Sequence, residues 1–162
     1  MPDILTHVLV GYCLATLLSL RDDRITPPYV TVAMLGTLLP DLTKIELLVP
    51  SMVVEQAIGL PFSWFAIHTP FGSLLAASVG ALLVAPHHRR QVLALLLLGA
   101  FSHHALDAML LNVTGSSYPL LWPLSTYHIP SPGLYLSSDR WPALLTGSLA
   151  AVMWTVKRAQ NE

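Results

Sequence analysis

The sequence predicts an all-α, polytopic membrane helical bundle of about five spans, with the N-terminus outside and the C-terminus cytoplasmic. Three observations point there. Of 162 residues, 54% are hydrophobic and only 10% charged, against about 25% charged in an ordinary soluble domain. Mean hydropathy is +0.62. The apolar residues also gather into stretches separated by polar or proline-rich connections. A chain of this size folded in water needs more polar surface than these charges supply. A net charge of -1, with no basic run longer than two residues, argues against a nucleic-acid partner. The length suits one domain, residues 1–162.

The first stretch, 4–20, carries no charged side chain. It lacks a basic leader and a small-x-small cleavage site, so it reads as a retained span and not a signal peptide. The second, 29–49, is opened by Pro27 and Pro28. The third, 62–85, is again uncharged, and the fourth, 92–113, is interrupted by Ser102, His103, His104 and Asp107. The fifth, 141–156, begins with Trp141 and Pro142. A span needs about 20 residues, within a range of about 17 to 25, so the first and last are short. The single cysteine, Cys13, lies in an apolar run and reads as a buried small side chain; any metal must be held by histidine and carboxylate.

Loop charges orient the chain. Arg21, Arg24, Arg89, Arg90, Lys157 and Arg158 fall on one side of a five-span arrangement, which the positive-inside rule makes cytoplasmic. Lys44 and Arg140 fall at the other. Residues 112–140 form the longest connection. They hold Pro119, Pro123, Pro130 and Pro132, which disfavour helix, and Tyr118, Trp122, Tyr127 and Tyr135, which suit an outer interfacial lid. Asn112-Val113-Thr114 matches the glycosylation acceptor pattern, read here as a chance match to a short pattern.

Ionisable groups inside spans are costly and point to function. They are His7, Asp41 with Lys44 and Glu46, His68, and the group His103, His104 and Asp107. At about 1.5 Å per residue, His7 lies about 5 Å from the outer end of its span, His68 and Asp107 about 9 Å, Asp41 about 12 Å and His103 about 15 Å. Antiparallel spans bring these positions to one level. His103 and Asp107, four apart, share a helix face, while His104 points about 100° away, as a group supporting the ligands from behind, a general base or a polar residue beside a cavity. Pro40 and Pro70 adjoin Asp41 and His68 and are expected to kink their helices, as a broken-helix ion site requires. Lys44 and Glu46 are expected to reach for the interface and pair. A lone intramembrane histidine ordinarily bonds to a neighbouring helix. Three imidazoles and two carboxylates at one depth suit a divalent ion, Zn²⁺ foremost: His7, Asp41, His68, His103 and Asp107.

At these residues the chain resembles the LexA-binding, inner-membrane-associated family described as membrane-bound metal-dependent hydrolases. The matching elements are Met1-Pro2-Asp3-Ile4-Leu5-Thr6-His7, Leu38-Leu39-Pro40-Asp41-Leu42, His68-Thr69, Ser102-His103-His104-Ala105-Leu106-Asp107 and Trp122-Pro123-Leu124. The family is distantly similar to zinc-dependent phospholipase C and P1-type nucleases, whose HxxxD helix His103 to Asp107 matches. Many members carry a further His-Arg pair before the histidine matched by His68. Here that stretch is Pro61-Phe62-Ser63-Trp64-Phe65.

The resemblance implies a metal-dependent hydrolase of a phosphoester; the membrane setting and the residues themselves suggest a lipid or lipid-linked substrate, Asp107 and His104 in catalysis, and 122–128 as a lid. Two rival readings use the same residues. One is a non-catalytic scaffold or ion-passing protein built on a structural metal or polar network. The other is haem ligation by His7 and His68, against which the neighbouring carboxylates argue. Expected partners are membrane lipids.

Overall fold

The computed structural model describes residues 4–112 and 115–160. Six α-helices appear in them: α1 (Ile4–Ser19), α2 (Pro27–Gly36), α3 (Ser51–Ile58), α4 (Pro70–Leu82), α5 (Arg89–Ala108) and α6 (Trp141–Gln160). Three 3-10 segments, Pro40–Leu47, Trp64–His68 and Pro86–His88, join or extend them. No strand forms among the described residues; the long connection has only isolated bridges, Leu110 with Tyr135 and Ser116 with Pro130. The all-α reading holds. Met1-Pro2-Asp3, and Val113 and Thr114 of the acceptor pattern, lie outside the described residues.

Prolines set the helix starts. Proline occupies the first turn of α2 and of α4, where its missing N–H has no partner to lose. Thr69 caps α4, its hydroxyl accepting from the Gly72 amide at 3.1 Å. Pro40 and Pro70 correct two expectations. The stretches 29–49 and 62–85 are each two pieces, not one helix. The first breaks between α2 and Pro40–Leu47, and the second between Trp64–His68 and α4. In each case proline removes a donor from the helical ladder at the break. Helix α3 was not expected from the sequence: eight residues between two apolar stretches read as a connection.

Helix α5 lies between α2 and α4, and α1 packs against α2, α5 and α6. Specific contacts fix the directions. Tyr29 at the start of α2 bonds His88 just before α5 at 2.6 Å, and Gly36 at the end of α2 abuts Leu96, so α2 and α5 are parallel. Ser73, early in α4, bonds His104, late in α5, while Gly80 faces Leu96, so α4 runs opposite to α5. Gly11 faces Thr37 while Ala15 packs with Ala33 and Tyr29, so α1 opposes α2. Lys157 reaches the Ser19 carbonyl at 2.7 Å and Gly147 faces Leu9, so α6 runs with α1. Thus α1, α4 and α6 point one way, and α2 and α5 the other.

The interior inverts the pattern of a water-soluble protein. Its fully buried side chains include His7, His103, Thr6, Thr37, Thr69 and Ser73, with Ala15, Ala33, Ala77 and Ala100. Val92, Leu95 and Leu96 of α5 are buried with them, but many large apolar residues face out, among them Phe71, Leu75 and Val79 on α4, and Leu144, Leu145 and Val152 on α6. Small and polar groups inside with large apolar groups outside suit an apolar solvent. Among the described residues, Pro86–Ala108 is the helix long and apolar enough to cross a membrane; Ile4–Ser19 and Pro70–Leu82 are apolar but shorter.

Candidate metal centre

The centre begins with a helix break. Asp41 donates its amide to Leu38, not to Thr37, and Pro40 has no amide to donate. The Thr37 carbonyl is therefore left without a partner at the end of α2. His103 on α5 supplies it, its Nδ1 lying 2.8 Å from that oxygen. The two helices come this close because Gly99 and Gly36 have no side chains. A Cβ on Gly99 would strike the Ala33 carbonyl and come within 2.6 Å of the Thr37 amide, and one on Gly36 would strike Leu96. His103 sits one turn beyond Gly99, at the level of the freed carbonyl.

His68 is held the same way. Its Nδ1 lies 3.2 Å from the Pro40 carbonyl. A carbonyl only accepts, so Nδ1 carries a proton in both histidines; Nε2 faces inward, with a lone pair when the ring is neutral and a second proton when it is charged. Backbone oxygens that fix a ring's tautomer and aim its other nitrogen are the usual second layer of a metal site.

Both Nε2 atoms face Asp107. His68 Nε2 lies 3.0 Å from Asp107 Oδ2, and His103 Nε2 lies 3.3 Å from it. His7, from the first turns of α1, puts its Nε2 3.6 Å from Asp107 Oδ1 and stacks on His103 with ring centres 4.0 Å apart. Donor atoms of His7, His103 and Asp107 lie within 4.8 Å of one another, and so do those of Asp41, His68 and His103. All five residues expected to bind metal meet here, from two helices, α1 and α5, and two 3-10 segments.

The group fits a cation. Buried atoms with no hydrogen-bond partner among the described residues are His7 Nδ1 and Nε2, Asp41 Oδ1, His103 Nε2 and Asp107 Oδ1. All belong to this cluster, although buried polar atoms are ordinarily satisfied. Imidazole lone pairs aimed at a carboxylate repel it unless a positive charge lies among them, either a proton on the rings or a cation. Nitrogen and carboxylate oxygen are donors that Zn²⁺ accepts. Asp41 keeps one oxygen for the cluster and gives the other to Lys44 at 2.9 Å. Lys44 and Glu46 thus take different partners, since Glu46 accepts from the Ser51 amide at 3.1 Å.

His104 turns away from the cluster. Its Nε2 lies 2.9 Å from Ser73 Oγ, and its Nδ1 2.5 Å from the Tyr118 hydroxyl. Ser73 Oγ also lies 3.2 Å from the Ile67 carbonyl. One proton arrangement satisfies all: Tyr118 donates to His104, His104 to Ser73, and Ser73 to Ile67. Tyr118 belongs to the connection 112–140, and burial, then the charge of Asp107, pushes its hydroxyl well above the ordinary tyrosine range. It stays a donor. Of the roles open to His104, this geometry fits an outer-layer residue tying the connection to α4 and α5.

Sequence reasoning did not find Thr37, Ser73, Tyr118 or Gly99 as parts of the site. Thr37, three residues before Pro40, carried a usable signal, because proline three residues on leaves a carbonyl without a 3-10 partner. Ser73 and Tyr118 carried none.

A model of one protein family, described as YdjM inner membrane protein, matches residues 1–161. No curated protein and no solved structure matches the chain.

Proposed function

The chain belongs to the YdjM inner membrane protein family, and from that premise we propose a multi-span membrane protein whose His/Asp centre binds a divalent metal, Zn²⁺ foremost, and hydrolyses a phosphoester. The observation that carries the metal reading is that the partnerless buried polar atoms among the described residues all belong to one cluster, in which donor atoms of His7, His103 and Asp107, and those of Asp41, His68 and His103, lie within 4.8 Å of one another. The alternating helix directions support five spans. Arg24, Arg89 and Lys157 gather at the end opposite the centre, as Gln91 reaching the Arg24 carbonyl at 3.0 Å and Lys157 reaching Ser19 indicate. With those cations cytoplasmic, the N-terminus and the centre lie toward the outside.

His7, His68, His103, Asp41 and Asp107 would hold the ion. Bound there, it would supply Lewis acidity toward a phosphoryl oxygen and toward water. The chain's own part is to fix the donors: Thr37 and Pro40 orient two rings, and stacking on His103 orients the third. The phosphoester class rests on the HxxxD spacing of His103 and Asp107 and on the resemblance to helical phosphoesterases. A lipid or lipid-linked substrate follows from the membrane setting. Elemental analysis of detergent-purified protein, beside phosphate release from a panel of phospholipids and phosphodiesters, tests it. Metal in stoichiometric amount with phosphate released is the expected result. A metal-free protein overturns it.

A second reading, a structural metal without catalysis, is favoured by one observation. Both ring nitrogens of His104 are committed, to Ser73 and Tyr118, so it offers no spare base. Bound metal with no hydrolysis across the panel selects this reading.

A further inference from the structure

The metal centre is not equally closed on all sides. The side chains of His7, His103 and Asp107 are at most 4% exposed, while those of Asp41 and His68 are 9% and 11% exposed. A molecule that reaches the centre therefore comes from the side of the 3-10 segments Pro40–Leu47 and Trp64–His68. On that side the 3-10 geometry makes a row. Side chains three apart eclipse one another in such a turn, so Asp41, Lys44 and Leu47 stand in line along Pro40–Leu47. The Lys44 side chain is 45% exposed, and Leu47 is 84% exposed. The row runs outward from a candidate metal ligand, through a cation, to a bare leucine.

The Lys44 ammonium lies 2.9 Å from Asp41 Oδ2, while Asp41 Oδ1 is the partnerless oxygen of the cluster. One carboxylate thus separates a positive charge from the cluster. An ammonium has three donors, and Asp41 takes one. Glu46 does not compete for the others. Two residues on, it falls off the row, and it accepts from the Ser51 amide at 3.1 Å and from the Ser51 hydroxyl at 2.5 Å.

We propose that Lys44 is the substrate-binding cation of the centre, donating to a phosphoryl oxygen of a phosphoester held there, with the substrate's apolar part over Leu47. A cation on Asp41 Oδ1 draws that carboxylate's charge, loosens its hold on Lys44 and leaves the ammonium to an incoming anion. A lysine serves phosphate well as a point charge. A neutral carboxylic ester would give Lys44 no anion to bind. The inference deepens the hydrolase reading and rests on it, but its reason for an anionic substrate is the position of Lys44 and not the resemblance.

The test uses the full-length protein with zinc in dodecylmaltoside, a detergent without phosphorus, and reads binding instead of turnover. The phosphorus NMR linewidth of dimethyl phosphate is followed against protein concentration, beside the zinc content of the same samples. Lys44→Gln keeps a donor for Asp41 and removes the charge. It is expected to keep its zinc and to bind dimethyl phosphate about 10- to 100-fold more weakly, the loss of one hydrogen bond to a charged group. Lys44→Arg and Glu46→Gln are expected to stay within a few-fold of the unaltered protein. Dihexanoylphosphatidylglycerol, below its micelle concentration, carries the same charge and adds acyl chains. Tighter binding of this probe, lost in Leu47→Gln, assigns the subsite to a lipid; equal binding of both probes assigns it to a water-soluble phosphodiester. Equal dimethyl phosphate binding by the unaltered protein and Lys44→Gln, both holding zinc, overturns the inference alone. Loss of zinc together with phosphate in Lys44→Gln also overturns it, making Lys44 a prop for Asp41. An effect of Glu46→Gln as large as that of Lys44→Gln does the same, since the response would then be to overall charge. Unaltered protein without zinc overturns the hydrolase reading and this inference together.

Discussion

His103 donates from Nδ1 to the Thr37 carbonyl across 2.8 Å, joining a buried imidazole on α5 to the backbone oxygen that Pro40 leaves unpaired at the end of α2. One broken turn thus aims a ring. Because the carbonyl only accepts, it also decides which nitrogen faces Asp107. The break is a positioning device and not merely the end of a helix.

Replacing Pro40 with Ala returns an amide to residue 40, three residues after Thr37. That amide competes with His103 for the Thr37 oxygen. Zinc affinity is expected to fall by about 10- to 100-fold, the range for loss of an outer-layer partner, while the fold persists. Competition against a chromophoric chelator measures it. An affinity equal to that of the unaltered protein would show that the carbonyl does not aim the ring.

The approach of α5 to α2 has its own test. In Gly99→Ala the new Cβ meets backbone, the Ala33 carbonyl and the Thr37 amide, neither of which can turn aside. Overpacking of this kind costs about 1–3 kcal/mol, and α5 must draw back, which lengthens the His103 bond. In Gly147→Ala the new Cβ only touches Leu9 at 3.8 Å, so the change stays within about 0.5 kcal/mol. Thermal melts of both variants in one detergent should therefore separate clearly. Equal melting temperatures would count against a tight α2–α5 seam.

Much of this was legible in the sequence because polar residues are costly in apolar surroundings and therefore few. His7, Asp41, His68, His103 and Asp107 stood out by type alone, and the loop cations placed them at one depth. The helix breaks at Pro40 and Pro70 were legible as kinks, but not as full changes to 3-10 geometry, which depend on where the freed carbonyls find donors. Helix α3 was invisible because eight residues carry too little periodicity. The bond that ties its first residue to the following segment, from the Trp64 amide to the Ser51 hydroxyl at 3.2 Å, is long-range. Tyr118 was read as an interfacial aromatic. That its hydroxyl meets His104 depends on the path of a proline-rich connection, which no local pattern encodes.

That tie makes a further prediction. Tyr118→Phe removes the donor to His104 Nδ1 and leaves a buried nitrogen unsatisfied, at a cost of about 1–3 kcal/mol. The neighbouring Tyr135 adds a pH arm. Its hydroxyl donates to the Leu106 carbonyl at 2.6 Å, and burial, followed by the charge of Asp107, pushes it up to about 12. The folded-state value lies above the ordinary one near 10, so the unfolded chain loses this proton first. Its stabilising contribution is complete below about pH 10 and is lost as pH rises toward 12. The gap in melting temperature between the unaltered protein and Tyr135→Phe should therefore shrink across that window. A gap constant from pH 8 to 12 would refute the linkage.

Asp107 gives the sharpest test, because His7, His68 and His103 all turn toward it from different parts of the chain. Asp107→Asn keeps the shape and removes the charge. If a cation sits among the rings, the unaltered protein loses stability when a chelator strips it, by about 2.7 kcal/mol for a site held at a hundred times its dissociation constant. Asp107→Asn should then show little bound metal and little further loss with chelator. His103→Ala should behave alike, and both should abolish turnover if the centre is catalytic. If the rings instead carry the balancing charge as protons, chelator changes nothing in either protein, and Asp107→Asn destabilises by removing the counter-charge. Melting curves with and without chelator, read beside the metal content of the same samples, decide between the two. Unchanged metal content in both variants would remove the centre from the proposal altogether.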